Sequence, residues 1–279
     1  MRIVITGAAG KAGQATLRHF ARSGRHEVVA TDVAVRPQWY EGPYYRADLT
    51  WYGEAVEVLQ GADAVIHLAN IPADRIHTDS ETLNANMAMN NNVFLAAWKL
   101  KLARVVYASS ETTLGLPFDE VDYVPVDEDH YPHPNSTYAL SKVLTETMAE
   151  QVSRWAGIPF IGLRLSNIFT VDDYASRPGF ARNPDARRWN LFGYIDARDV
   201  AQAFEDALRA HLTGAHSFII AADDTILDMP TREALAAIHP DLEVPDAVPE
   251  YGTLLSNAAA RRALGFSPRH TWRDAETAP

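Results

Sequence analysis

The chain of 279 residues contains no cysteine, which excludes disulfides, thiolate metal sites and a cysteine nucleophile. Positive charge is short as well. The 25 lysines and arginines face 36 aspartates and glutamates, and the net charge of −11 argues against nucleic acid or an anionic membrane surface as partner. Only four of those cations are lysines, at positions 11, 99, 101 and 142. No apolar run reaches the length of a membrane span. The chain enters "RIVITGAAG" without the basic and apolar stretch of a signal peptide, so a soluble cytoplasmic protein is expected. The pair "HYPHP" (130–134) lacks acidic or cysteine partners at ligand spacing, so no metal site is expected. What is present is a hydrophobic content of 47%, enough to fill one large domain or a domain plus a small lobe.

Short apolar, β-branched runs read as buried strands at 2–6, 26–32, 62–70, 103–110, 159–167 and 216–222. Between them lie helix-like segments at 11–24, 52–61, about 80–101, 136–157 and 196–211. Strands alternating with helices imply an α/β fold, a doubly wound parallel sheet of Rossmann type. Two polar segments break the alternation. The expected division is a dinucleotide-binding domain over 1–169 and 191–222, and a small substrate lobe over 170–190 and 223–279. The run "NANMAMNNN" (84–92) reads as a polar face of the long helix, Asn86 apart.

The first strand stops at "TGAAGKAG" (6–13), whose glycines are Gly7, Gly10 and Gly13. Glycine permits the tight turn, lets the backbone approach a pyrophosphate and lets helix and strand pack closely. The helix that starts at Lys11 and Ala12 offers unpaired N–H groups to phosphates. Asp32 ends the second strand, nineteen residues after Gly13. A carboxylate there accepts from an adenosine ribose and repels a 2′-phosphate, which favours NAD over NADP, with Arg36 as a nearby counterweight.

The stretch "STYALSK" (136–142) sets Tyr138 one helical turn before Lys142, so the two share a face. An ammonium beside a phenol favours the phenolate, which makes a proton-transfer pair. Eleven tyrosines and four lysines produce roughly 0.16 chance matches of this spacing, so the pair gains weight only from its surroundings.

Those surroundings resemble the extended short-chain dehydrogenases/reductases of the NAD-dependent epimerase/dehydratase type, over nearly all of residues 1–222. "TGAAGKAG" resembles that family's T-G-x-x-G-x-x-G loop. "ADL" (47–49) is similar to its adenine contact and implies Asp48 and Leu49 beside the base. "HLAN" (67–70) resembles H-L-A-A and implies that Leu68, Ala69 and Asn70 lie against the cofactor. "VVYASSETTLG" implies Ser110 as the active-site hydroxyl, and "YALSK" supplies Tyr138 and Lys142. "GLRLSN" implies Asn167 near the substrate, and Asn86 falls at the family's structural asparagine. "YIDARDVAQAF" (194–204) resembles a helix entry in which Asp196 replaces the usual histidine.

The resemblance implies hydride transfer with Tyr138 as base, Lys142 lowering its pKa, Ser110 holding the reacting oxygen and Asn86 holding a water that links Lys142 to solvent. Glu111 and Thr112 stand where many epimerases carry small residues, and the dehydratases' Thr-Asp-Glu run is missing. The short connection after Asn167 is similar to that of the short uronate dehydrogenases, which oxidise a free sugar acid with NAD. On that likeness Arg177 is placed to pair with a substrate carboxylate and Trp189 to stack on a sugar face. A homodimer through the two long helices is implied by resemblance only. Three functions remain open: an NAD-dependent sugar dehydrogenase, an epimerase of the UDP-glucose 4-epimerase kind that retains NAD, and a dinucleotide sensor without chemistry.

Overall fold

The computed structural model describes every residue except 116, 117, 119, 120, 278 and 279, with side chains through Asp274. In chain order the elements are β1 (Arg2–Thr6), α1 (Lys11–Ser23), β2 (Glu27–Asp32), β3 (Tyr44–Arg46), α2 (Tyr52–Leu59), β4 (Ala64–His67) and α3 (Asp79–Lys99). There follow β5 (Arg104–Ser110), α4 (Thr137–Ala156), β6 (Phe160–Leu165), β7 (Ile168–Phe169), β8 (Ile195–Asp196), α5 (Ala197–Arg209) and β9 (Ala215–Ile220). The chain ends with α6 (Thr231–Ile238), α7 (Ala258–Leu264) and α8 (Trp272–Thr277). Seven strands form one sheet in the order β3-β2-β1-β4-β5-β6-β9, every neighbouring pair parallel. This is the doubly wound Rossmann-type arrangement that the alternating pattern predicts.

Alternation along β1 explains the two layers. Ile3 and Ile5 face one side, where they meet Leu17 and Phe20 of α1 and Val200 and Phe204 of α5. Val4 faces the other, with Val65, Phe94, Val105 and Phe160. The chain leaves β1 toward β3 and returns to β4 on the opposite flank. That reversal opens a crevice beyond the carboxyl ends of β1 and β4.

The long helix α3 departs from expectation. Its apolar anchors, Val93, Phe94, Ala96 and Ala97, lie only in its last turns. Upstream, Asn86, Asn90 and Asn92 are buried rather than turned to solvent. Buried amides need partners, and these find them. Asn92 donates to the carbonyls of Leu49 and Thr50 at 3.0 and 2.9 Å. Asn86 accepts from Ile71 N at 2.7 Å and donates to Ile71 O at 3.2 Å. The asparagines thus dock the helix against loops at the strand ends, where the crevice is.

A second core gathers Phe118, Phe169, Tyr174, Phe192, Leu235 and Trp272 around Ile219 and Ala221 at the end of β9. The additional C-terminal helices therefore form a lobe continuous with the sheet edge. Asp196 caps α5 by accepting from Arg198 N at 2.8 Å, and it accepts from Tyr174 Oη at 2.9 Å, which ties the 170–179 segment to that helix. Among the described residues no helix is long and apolar enough to cross a membrane.

Candidate active site

The crevice is a cleft of about 1220 Å³. Its glycine-loop end is made of backbone. Gly7 has φ +64°, and a Cβ there would stand 2.6 Å from Leu68 C and Ala69 N. At Gly13 a Cβ would stand 2.1 Å from Gly7 O, so the loop closes only with glycine. Asp32 fixes the loop by accepting from Ala9 N at 2.9 Å, while its other oxygen accepts from Ala34 N at 2.9 Å in the turn after β2. Gly7, Gly10, Lys11, Ala12, Gly13, Asp32, Leu49, Leu68, Ala69 and Asn70 all line the cleft. Lys11 also reaches across to the lobe, donating to Asp173 Oδ2 at 2.9 Å and Ile168 O at 3.2 Å.

The motif hydroxyls and the lysine meet farther along the same cleft, beside the ends of β5 and α4. Lys142 is 3% exposed and donates to Asn70 Oδ1 at 2.8 Å and Ala108 O at 3.0 Å. Its Nζ lies 5.5 Å from the centre of the Tyr138 ring. Burial pushes the lysine down to about 7, against the pull of the Glu146 carboxylate. Tyr138 is pushed up to about 12 by burial, with Glu111 adding to the rise and a hydrogen bond from Ser110 opposing it. Desolvation sets the direction at Tyr138, upward, where the expected lowering came from the ammonium and the cofactor's positive ring together.

Glu111 follows Ser110 into a buried polar cluster. Its carboxylate accepts from Ser166 Oγ at 2.5 Å and Asn190 Nδ2 at 3.3 Å. Burial raises it to about 7, although these bonds and the Arg187 guanidinium pull it down. Arg187 donates to Asn167 Oδ1 at 3.2 and 3.3 Å and to Gly193 O at 3.0 Å. Its guanidinium lies 4.8 Å from the Trp189 ring centre. Thr112, Asn167 and Trp189 line the cleft beside Glu111.

Three assigned residues stand elsewhere. Asp48 is not in the cleft wall. Its carboxylate accepts from Thr50 N and Oγ1 at 3.0 and 2.7 Å and closes the turn before α2, leaving Ala47 and Leu49 to line the cleft. Asn86 spends its amide on Ile71 and on Ser141 Oγ at 3.3 Å, so its side chain does not reach Lys142. Arg177 is buried outside the cleft lining, with its guanidinium 3.3 Å from the Trp272 ring centre, because the second core takes it up. Conversely, Asn90, Ser166, Arg187 and Asn190 carry polar contacts around the cleft that spacing alone did not reveal. The only hint was the density of asparagines in 84–92 and the arginine pair before Trp189.

The model of the NAD dependent epimerase/dehydratase family matches residues 3–221. The chain is 27% identical over 252 residues to L-arabinose 1-dehydrogenase (NAD(P)(+)) of Haloferax volcanii, covering 85% of this chain and 94% of that one. It is 28% identical over 171 residues to uronate dehydrogenase of Pseudomonas syringae pv. tomato, and here the match spans only 60% of either chain. The crystal structure of UDP-galactose 4-epimerase superposes with a TM-score of 0.74 at 24% identity, covering 99% of this chain and 96% of that one.

Proposed function

The chain belongs to the NAD-dependent epimerase/dehydratase family, and from that premise we propose that it is a sugar dehydrogenase that oxidises a hydroxyl of a sugar or sugar acid with NAD as a dissociable co-substrate. One observation carries this reading: Ser110, Tyr138 and Lys142 share a cleft with the glycine loop and Asp32. The residues fit the dinucleotide. The glycines pack so tightly on Leu68, Ala69 and on one another that bare backbone lines the cleft at the start of α1, and no acidic residue occupies the first turn of α1 to repel a phosphate. Gly7 to Gly13, Asp32, Leu68, Ala69, Asn70 and Lys142 would hold it. When bound, NAD supplies the acceptor for the hydride.

Each residue has a separate task. Tyr138 Oη takes the hydroxyl proton of the substrate. Ser110 Oγ donates to the reacting oxygen and supports charge as the carbonyl forms. Lys142, with its Nζ 5.5 Å from the centre of the Tyr138 ring, places positive charge on the phenol's side of the cleft when protonated. Glu111 and Asn167 accept from or donate to further sugar hydroxyls, and Trp189 offers a ring face. Glu111, whose carboxyl burial raises to about 7, gives this wall hydrogen-bonding groups and no added positive charge, which suits a hydroxyl-rich group. The 94% coverage of the arabinose dehydrogenase supports the same class.

A second reading is an epimerase that keeps its NAD. The Lys11–Asp173 ion pair favours it, since it ties the glycine loop to the lobe. Denaturing the purified protein and assaying the supernatant separates the two. The dehydrogenase reading expects less than stoichiometric nucleotide and reversible binding of added NAD; one nucleotide per chain would establish the epimerase-like mode.

A further inference from the structure

We propose that Asn70 and Asn90 form a paired-amide clamp that holds the Lys142 ammonium in position and in its charged form, Asn70 by direct contact and Asn90 by orienting Asn70. The polarity of every bond in the cluster follows from its neighbours. Lys142 Nζ has only hydrogens to give, so the Asn70 atom 2.8 Å away is the amide oxygen. Asn70 Nδ2 then donates to Asn90 Oδ1 at 3.0 Å, and Asn90 Nδ2 returns a longer bond to Asn70 Oδ1 at 3.3 Å.

Asn90 is fixed in turn from its far side. Thr145 Oγ1 gives its hydrogen to Ser141 O at 2.7 Å, so it accepts from Asn90 Nδ2 at 2.7 Å. His67 Nε2 donates to Asn90 Oδ1 at 2.9 Å. The other imidazole nitrogen, Nδ1, accepts from Thr6 Oγ1 at 2.7 Å, and that oxygen accepts from Leu68 N and Ala69 N at 3.1 and 3.2 Å. Burial and the Lys142 charge push His67 down to about 3, so the ring is neutral and has one donor and one acceptor, as this chain of bonds needs. Flipping either asparagine would set oxygen against oxygen or aim an N–H at the ammonium.

The far side of the cluster is deeply buried, with His67 and Asn90 2% exposed and Lys142 3%, while Asn70 is half-buried at the cleft wall. In such a site an ammonium persists only with acceptors aimed at it. Asn70 Oδ1 and Ala108 O are the two found among the described residues. Asn86, to which the resemblance gives a water linking this lysine to solvent, engages Ile71 and Ser141 through its amide. The clamp also starts beside the glycine loop, at Thr6, so it sets the lysine relative to the cofactor end of the cleft.

The proposal rests on reading Lys142 as the cation of the reactive site, but its test needs neither turnover nor bound nucleotide. With four lysines in the chain, labelling lysine with 13C at Cε yields four resonances. Lys142→Arg identifies the one of interest by its loss. Titrating that resonance reads the ammonium directly. Asn70→Ala should move its midpoint down by roughly one to two pH units, the size expected for a lost bond to a charged group. Asn70→Asp should move it up, and Asn90→Ala should move it down by less than Asn70→Ala. Opposite signs at one position are not what a purely structural role produces. An unmoved midpoint in any folded Asn70 variant would overturn the clamp. A moved midpoint in a protein whose Lys142→Ala variant kept full activity would sink the catalytic reading instead and leave the clamp standing.

Discussion

The two ends of the cleft are built from different materials. The glycine-loop end is a surface of backbone, closed because Gly7 and Gly13 leave no room for a Cβ. The lobe end is a surface of buried polar side chains, in which Glu111 is held by Asn190 from 79 residues away and by Ser166 from 55. A backbone surface can be specified by eight consecutive residues. A side-chain surface depends on which distant loops the tertiary fold delivers, so it can be altered with less damage to the fold. Ser110, Tyr138 and Lys142, proposed as the reactive residues, stand between the two and draw on both.

Three substitutions sharpen this contrast. Tyr138→Phe, at the junction, should have the largest effect, a loss of kcat by roughly a hundredfold to ten-thousandfold with the fold unchanged. Turnover near that of the unaltered enzyme would remove the tyrosine from the mechanism. Gly13→Ala acts on the backbone end. A Cβ 2.1 Å from Gly7 O forces the loop open, so urea unfolding should report a loss of roughly 3 kcal/mol together with lost NAD binding. Unaltered stability would contradict a backbone-defined end.

Glu111→Gln acts on the lobe end, and its effect should depend on pH. The folded carboxyl sits at about 7 against an ordinary value of 4.5, so below about 4.5 both folded and unfolded forms hold the proton and the group contributes nothing. Between 4.5 and 7 the unfolded chain releases the proton and the folded chain keeps it, so ionisation works against folding. Above that range the penalty is complete, on the order of 3 kcal/mol. The stability of the glutamine variant relative to the parent should therefore climb from pH 4 to pH 8 by about that amount. A difference flat in pH would show that Glu111 titrates normally.

The same contrast explains what could be read beforehand. Six strands were legible as apolar, β-branched runs, and the glycine loop and Asp32 were legible as a contiguous pattern ending at a strand. Edge strand β3 was not, because "YYR" is short and mostly exposed. Asp48, Asn86 and Arg177 carry the residue types that the resemblance asks for, but each found a nearer partner: a turn hydroxyl, a loop backbone and a tryptophan ring. Asn90 was hidden for the converse reason. An asparagine on a helix reads as solvated until the neighbours that bury it are known.

The most direct test of the central claim, that this cleft transfers hydride from a sugar hydroxyl, is to incubate the purified protein with NAD and a panel of neutral aldoses and uronic acids and to follow reduced nucleotide. The account predicts NAD reduction with at least one member, favouring a neutral sugar, and none above background in the Tyr138→Phe variant. Tight NAD binding with no reduction by any member would contradict it.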